Sequence, residues 1–341
     1  MKKQITIALT IILLIVMPLT VFGVTKVGTT AANFLKIGVG ARAIGMGGAF
    51  VSMADDASAM YWNPAGIALL QGAEAFFNHS EWIADINFDY AGVIVALPKV
   101  GSFGLNATVL SMSEMERTTE YYPEGTGQMF SAGSYALGVT YARSLTDRFS
   151  IGFNFKYINE YILNSSASGF AIDIGTMFIT QFRGLRIGAN ITNFGTKMQM
   201  DGRDILVQHD IDPLREGNND KINADLSTDR FDLPLHLRVG VSYDLLQDVP
   251  NNQLWLSIDA THPNDNIEQV NIGGEYIFND MVTLRAGYTS LFAKDSEKDL
   301  TLGAGVMYTF IGNVKAKIDY AYQAFGRFGN VDKIISVAIG F

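Results

Sequence analysis

The 341-residue sequence contains no cysteine, and only 17% of its residues are charged. The lack of cysteine excludes disulfides, thiolate metal sites and a lipid-modified N-terminal cysteine. Soluble domains carry about 25% charged residues, so the low charge predicts that much of the surface does not face water. The net charge of −9 argues against a nucleic-acid partner, because phosphate binding requires a basic face.

Motifs for catalysis and for cofactor or metal binding are also scarce. The stretch GVGARA at 38–43 fits the dinucleotide-binding pattern, but no buried strand precedes it and no βαβ unit follows. The sequence therefore predicts no cofactor. The four histidines lie in separate segments without the H-x-x-x-H spacing of a metal site; they are His79, His209, His236 and His262. No serine stands in a nucleophile motif, so we expect a protein that is not an enzyme.

The N-terminus has the three parts of a secretory signal peptide. Two lysines precede an apolar run at 5–22, and small residues end at Gly23, which predicts a signal peptide over 1–23. An uncleaved anchor is the alternative, since about 18 apolar residues just span a bilayer. Pro18 and the small-residue end favour cleavage. Beyond this segment no apolar run is long enough for a membrane helix.

From residue 73 onward the sequence alternates with a period of two. In RFSIGFNFKYINEY at 148–161, Phe153 and Phe155 share a face with other apolar residues, while Asn154 and Lys156 lie on the opposite face. This alternation is typical of β-strands with one apolar face. The predicted strands are 73–80, 86–97, 102–112, 131–143, 148–161, 169–181, 184–194, 232–244, 253–262, 267–278, 281–290, 299–310, 313–324 and 332–341.

The lengths of the connections favour a membrane barrel over a soluble sandwich or propeller. Short turns alternate with longer loops, among them 113–130 and 195–231, as in outer-membrane barrels. Rows of outward Phe, Ile and Tyr would make a water-facing sheet aggregate. The sequence thus predicts an all-β fold, a transmembrane antiparallel β-barrel of about fourteen strands over 73–341 in contact with outer-membrane lipid. Its last strand ends at Phe341, a predicted signal for the barrel-assembly machinery.

The segment 24–72 predicts a helical hatch inside the barrel. About fourteen strands enclose more space than their inward side chains fill. Within DDASAMYWNPAGIALL two aspartates stand at N-cap positions, an asparagine precedes a proline at a first helical position, and two small residues follow, suiting a nearby wall. The candidate hatch residues are Asp55, Asp56, Asn63, Pro64, Ala65 and Gly66.

The same stretch resembles a known superfamily. GARAIGMGGAFVSMADDASAMYWNPAGIALL at 40–70 is similar to the N-terminal hatch of FadL-like outer-membrane channels, with Asn63, Pro64 and Ala65 as their Asn-Pro-Ala motif. Within this superfamily the chain most resembles the PorV/PorQ branch. The stretches that carry this resemblance are LGVTYARSLTDRFSIGFNFKYI, GLRIGANITNFG and VNIGGEYIFNDMVTLRAGY. The resemblance implies a fourteen-stranded barrel with an N-terminal hatch in a Gram-negative outer membrane.

The resemblance implies two alternative functions. PorV binds substrates of the type IX secretion system and hands them to surface-attachment machinery, which implies a translocon and cargo C-terminal domains as partners. FadL-type members instead admit long-chain fatty acids or other hydrophobic small molecules. The loop 195–231 is polar and acidic and offers no broad apolar ledge for a lipid. This favours a polypeptide partner.

Overall fold

The computed structural model of this protein describes residues 27–215, 217, 221–291, 297, 299–310 and 314–341. The predicted signal peptide, 1–23, lies outside the described residues. Within those residues, no helix combines the length and the apolar character needed to cross a bilayer.

Fourteen antiparallel strands close into a barrel, which confirms the predicted all-β architecture. Each strand pairs with its neighbours in sequence, and the first pairs with the last, so no edge is left open. The strands are β1 Ala73–Glu81, β2 Asn87–Leu97, β3 Gly101–Ser111, β4 Ala132–Thr146, β5 Phe149–Ile162, β6 Ser165–Ile179, β7 Arg186–Gly195, β8 His236–Asp244, β9 Asn252–Pro263, β10 Gln269–Phe278, β11 Val282–Leu291, β12 Leu300–Thr309, β13 Lys315–Ala324 and β14 Asn330–Gly340.

Two predicted strand starts are wrong by four residues. Strand β6 begins at Ser165, because a tight turn with Leu163 at φ 53° joins it directly to β5. Strand β8 begins at His236, although the apolar alternation extends back to Leu233. Pro234 interrupts the ladder because it has no N–H to donate, and Leu233 is only 3% exposed rather than on the outer face.

The connections form two unlike rims. The short-turn rim holds the connections at 98–100, 147–148, 180–185, 245–251 and 279–281, and it also contains the end of β12 and the start of β13. The opposite, long-loop rim includes the connections at 112–131 and 196–235. These two loops carry short strands of their own: Met115–Glu116 with Met129–Phe130, Met198–Gln199 with Arg230–Phe231, Leu206–His209 with Ile222–Asp225, and Asp201–Gly202 on β6.

The two faces of each strand differ in polarity as the alternation predicts. On β5 the outward Phe155 is 52% exposed, whereas the inward Asn154 is 2% exposed. Lys156 is also buried on the inner side. An outer surface of exposed apolar side chains around a polar interior is the pattern of barrels that stand in hydrocarbon.

The segment before β1 is only partly helical. Its helices are α1 Ala41–Gly45 and α2 Ala59–Trp62, and its 3₁₀ turns are Asn33–Lys36 and Pro64–Leu69. Further 3₁₀ turns lie in the long-loop rim at Ile83–Asp85, Arg203–Ile205 and Gly326–Phe328. The helices of the segment contain five and four residues, so the predicted helical hatch is a mostly irregular chain with single helical turns. Glycines with positive φ at Gly47 and Gly48 end α1.

Candidate functional site: the N-terminal segment and the barrel wall

The N-terminal segment, residues 27–72, runs through the barrel from one rim to the other. At the long-loop rim, Lys36 Nζ lies 2.6 Å and Thr30 Oγ1 2.8 Å from the carboxylate of Asp265. At the short-turn rim, the Ala96 amide donates to the Gly72 carbonyl at 2.8 Å. The segment therefore crosses the whole lumen before β1 begins.

Glycines on the inner wall allow the segment's backbone to approach closely. A Cβ at Gly287 would lie 2.2 Å from Gly47 N, and a Cβ at Gly152 would lie 2.3 Å from the carbonyl carbon of Pro64. No larger residue fits at these positions unless the segment moves. Gly188 and Gly273 approach the backbone of the segment in the same way, whereas Gly92, Gly104 and Gly175 face side chains of the segment, those of Met60, Asn63 and Pro64.

Arg42 joins Asp55 and Asp56, the two aspartates predicted as hatch residues, to the wall. Its Nη1 lies 2.6 Å from Asp55 Oδ1 and 3.0 Å from Asp56 Oδ2, while its Nη2 lies 2.8 Å from Glu275 Oε1 on β10. The N-cap expectation is wrong, because α2 has no side-chain cap. Asp56 accepts a hydrogen bond from the Ser58 amide at 3.0 Å, which orders the chain just before the helix.

The carboxylate of Asp55 is held by two guanidinium groups. Arg186 Nη1 on β7 lies 2.9 Å from Asp55 Oδ2, and its guanidinium stacks 4.4 Å from the Trp255 ring centroid. The two guanidinium groups thus hold the Asp55 carboxylate between the segment and β7.

The ion pairs continue along the inner wall toward β13. Arg285 Nε lies 2.6 Å from Glu275 Oε2, and Arg285 Nη1 lies 2.7 Å from Asp319 Oδ1. Lys317 Nζ lies 3.5 Å from Asp319 Oδ2. Such buried charges are tolerated because each has a partner. Among the residues that the structure describes, no three His, Asp or Glu side chains group as metal ligands would.

Asn63 binds both the segment and the wall. Its Oδ1 accepts from the Ala65 amide at 3.2 Å, at the start of the 3₁₀ turn that Pro64 opens. Its Nδ2 donates to the Val51 carbonyl at 2.8 Å and to the Thr176 carbonyl of β6 at 3.0 Å. One side chain thus caps a turn and anchors it to a strand.

Ala65 and Gly66 are small for different reasons. Ala65 is fully buried beside the wall, since a Cβ at Gly152 of β5 would lie 2.5 Å from its amide nitrogen. At Gly66, in contrast, a Cβ would lie 1.9 Å from the Ala54 carbonyl oxygen. The close neighbour of Gly66 is the segment itself, so the expectation that the wall keeps Gly66 small is wrong.

Sequence reasoning missed the wall residues that bind the segment's backbone. Asp259 on β9 accepts from the amides of Phe50 and Val51 at 2.7 and 2.8 Å. Asn154 on β5 donates to the Met60 carbonyl at 3.3 Å. Alternation predicts that these side chains point inward, but it carries no information about which backbone groups they meet.

Phe341 ends the chain at the short-turn rim. Its backbone exchanges two hydrogen bonds with Ala73, at 2.8 and 3.2 Å. Its side chain is exposed on the outer face, in line with Ile335 and Ile339 of β14. The final residue therefore lies where the first and last strands close the barrel.

Comparison with known proteins identifies the family. The family model described as Type IX secretion system protein PorV matches residues 23–211, more than half of the chain. This chain belongs to the PorV family. A sequence search against curated proteins found no match.

Solved structures share the fold at low sequence identity. A Pseudomonas aeruginosa FadL homologue has a TM-score of 0.53 at 14% identity, over 89% of this chain and 98% of that one. The CymD monoaromatic hydrocarbon channel has a TM-score of 0.56 at 14% identity, over 89% of this chain and 98% of that one. The Pseudomonas putida toluene transporter TodX has a TM-score of 0.55 at 14% identity, over 89% of this chain and 97% of that one. This PorV-family chain is therefore similar in fold to FadL-type barrels.

Proposed function

We propose that the protein is an outer-membrane barrel that binds secreted polypeptides and passes them on in a type IX-like secretion system, without catalysing a reaction. The observation that carries this proposal is the N-terminal segment, which crosses the lumen and bonds to the wall on both sides. A polypeptide would then bind at a rim and not pass through the barrel. Membership in the PorV family supports this reading.

The long-loop rim offers surfaces that suit a polypeptide. A cavity of about 630 Å³ lies between the two legs of the 196–235 loop and is lined by Lys197, Asp225 and Arg230 among others. Side chains of both signs can bind peptide groups and charged side chains, whereas a hydrocarbon would gain nothing from them. The short strands in this loop also present edges to which an extended chain can add.

The proposed location and partners follow from the same picture. The signal peptide would direct export, and the barrel-assembly machinery would recognise the final strand ending in Phe341. The barrel would then stand in outer-membrane lipid with its long-loop rim outside the cell. A secretion translocon and the C-terminal domains of cargo are the proposed protein partners.

The experiment is a secretion assay in a deletion strain. We expect the strain to lose surface cargo that carries type IX C-terminal domains, and the intact gene to restore it. A variant with 203–228 replaced by a short linker should fold, because Met198–Gln199 still pairs with Arg230–Phe231, yet should not restore secretion. An exposed-turn variant, Lys99→Ala, is the matched control. Normal surface cargo in the deletion strain would refute the proposal.

A channel for hydrophobic small molecules is the second candidate. The fold similarity to monoaromatic hydrocarbon channels favours it. In the same deletion strain, uptake of radiolabelled toluene and of a long-chain fatty acid would be measured. Reduced uptake with unchanged secretion would favour the channel over the secretion role.

A further inference from the structure

The first described part of the chain lies at the long-loop rim in the manner of a bound peptide. We call residues 30–37 the strap. The Ala31 amide donates to the Asp232 carbonyl at 2.9 Å, and Thr30 forms a parallel β-bridge with Asp232. The Ala32 amide donates to Glu160 Oε2 of β5 at 3.0 Å. Backbone groups, which any sequence possesses, therefore provide several of the strap's contacts.

The strap's side chains add an apolar pair followed by a cation. Phe34 and Leu35 are buried in the cluster that also contains Met198 and Leu233 of the long loop. Lys36 keeps part of its side chain in solvent while its ammonium pairs with Asp265. Two adjacent apolar side chains of the strap are thus buried inside the mouth of the barrel, among residues of the segment and of the long loop, and one basic side chain is paired there.

Asp265 has an unused acceptor in this arrangement. The residue is 2% exposed, and one carboxylate oxygen, Oδ2, takes the bonds from both Thr30 and Lys36. The other oxygen, Oδ1, is buried and has no hydrogen-bond partner among the described residues. A buried carboxylate oxygen without a donor is costly, so the strap does not use all the binding capacity of this position.

Two features of the strap favour its release from this position. Ala32 has φ 50°, a left-handed conformation that is unfavourable for a residue with a side chain. Val27, just before the strap, is exposed. A strained segment with one β-bridge opens at lower cost than a strand within the barrel ladder.

We propose that the mouth of the barrel is a peptide-binding groove that the strap occupies in cis. Its partner in trans is an extended polypeptide segment with two adjacent apolar residues followed by lysine or arginine. This inference rests on the proposed function and specifies the polypeptide that the rim takes. A tethered occupant has an effective concentration of about millimolar, so the groove opens to a partner only when the strap leaves.

The test uses the protein's own strap as the probe. A fluorescently labelled peptide TTAANFLKIG, the sequence of 29–38, would be titrated against the full-length protein in detergent. We expect the double variant Phe34→Ala/Leu35→Ala, whose own strap is weakened, to bind the peptide at least tenfold more tightly than the unmodified protein. Adding Asp265→Asn should remove that gain, and a peptide with glutamate in place of lysine should not bind.

Two further measurements keep the test decisive. Since the chain has no cysteine, Ala32→Cys, at a position that is fully buried while the strap is bound, can report release of the strap through maleimide labelling rates. Lys36→Ala is a milder variant for use if the double variant does not fold, and Tyr121→Ala, at an exposed loop position, is the control. Equal peptide binding by all variants, with labelling showing the strap released, would overturn the groove. The secretion assay is independent of that result.

Discussion

Arg42 is one of the residues that hold the N-terminal segment to the wall by charge. Its guanidinium bonds to Asp55, Asp56 and Glu275, and it also lies 5.1 Å from the ring centroid of Phe50. The sequence drew attention to the two aspartates because they precede a helical turn. It could not identify their partner, because the pairing depends on how the segment folds back on itself.

Replacing Arg42 tests this junction. Arg42→Ala would leave three carboxylates with fewer partners, and we expect it to lower the free energy of unfolding by about 3 kcal/mol, since breaking a buried ion pair has a cost of that order. Arg148→Ala, at an exposed turn, should change it little. Urea titrations of both variants in detergent measure the difference. Equal effects would show that Arg42 does not hold the segment.

At the scale of the element, the N-terminal segment fits because the strands leave it room. The wall glycines stand at inward positions of the alternating pattern, for example Gly152 between Ile151 and Phe153. The sequence therefore already placed glycines on the inner face of the wall, where the N-terminal segment lies. The path of the segment was not predictable from it, because single helical turns joined by irregular backbone have no periodicity to detect.

A methyl group at a wall glycine tests the close approach. Gly152→Ala would place a Cβ 2.3 Å from the Pro64 backbone, and overpacking of this kind costs about 1–3 kcal/mol. Gly274→Ala is the matched control, because its Cβ would lie 3.4 Å from a flexible Leu256 methyl group. We expect faster trypsin cleavage within the segment only for Gly152→Ala. Equal cleavage of the two variants would place the segment away from β5.

At the scale of the whole molecule, period-two alternation and loop lengths predicted the fourteen strands, because each strand presents one face to an apolar and one to a polar environment. The prediction was wrong where local signals conflict, as at Leu233, where apolar alternation continues past a proline that ends the ladder. The short strands within the 112–131 and 196–235 loops were also missed, since two to four residues are too few to show a period.

The central claim is that the N-terminal segment closes this barrel. Single-channel recording in planar bilayers tests it most directly, with the unmodified protein compared with a variant in which 33–70 is replaced by a short Gly-Ser linker. We expect no conductance steps from the unmodified protein and large, stable steps from the linker variant, whose strand ladder is intact. Stable steps of equal size from both proteins would contradict the account.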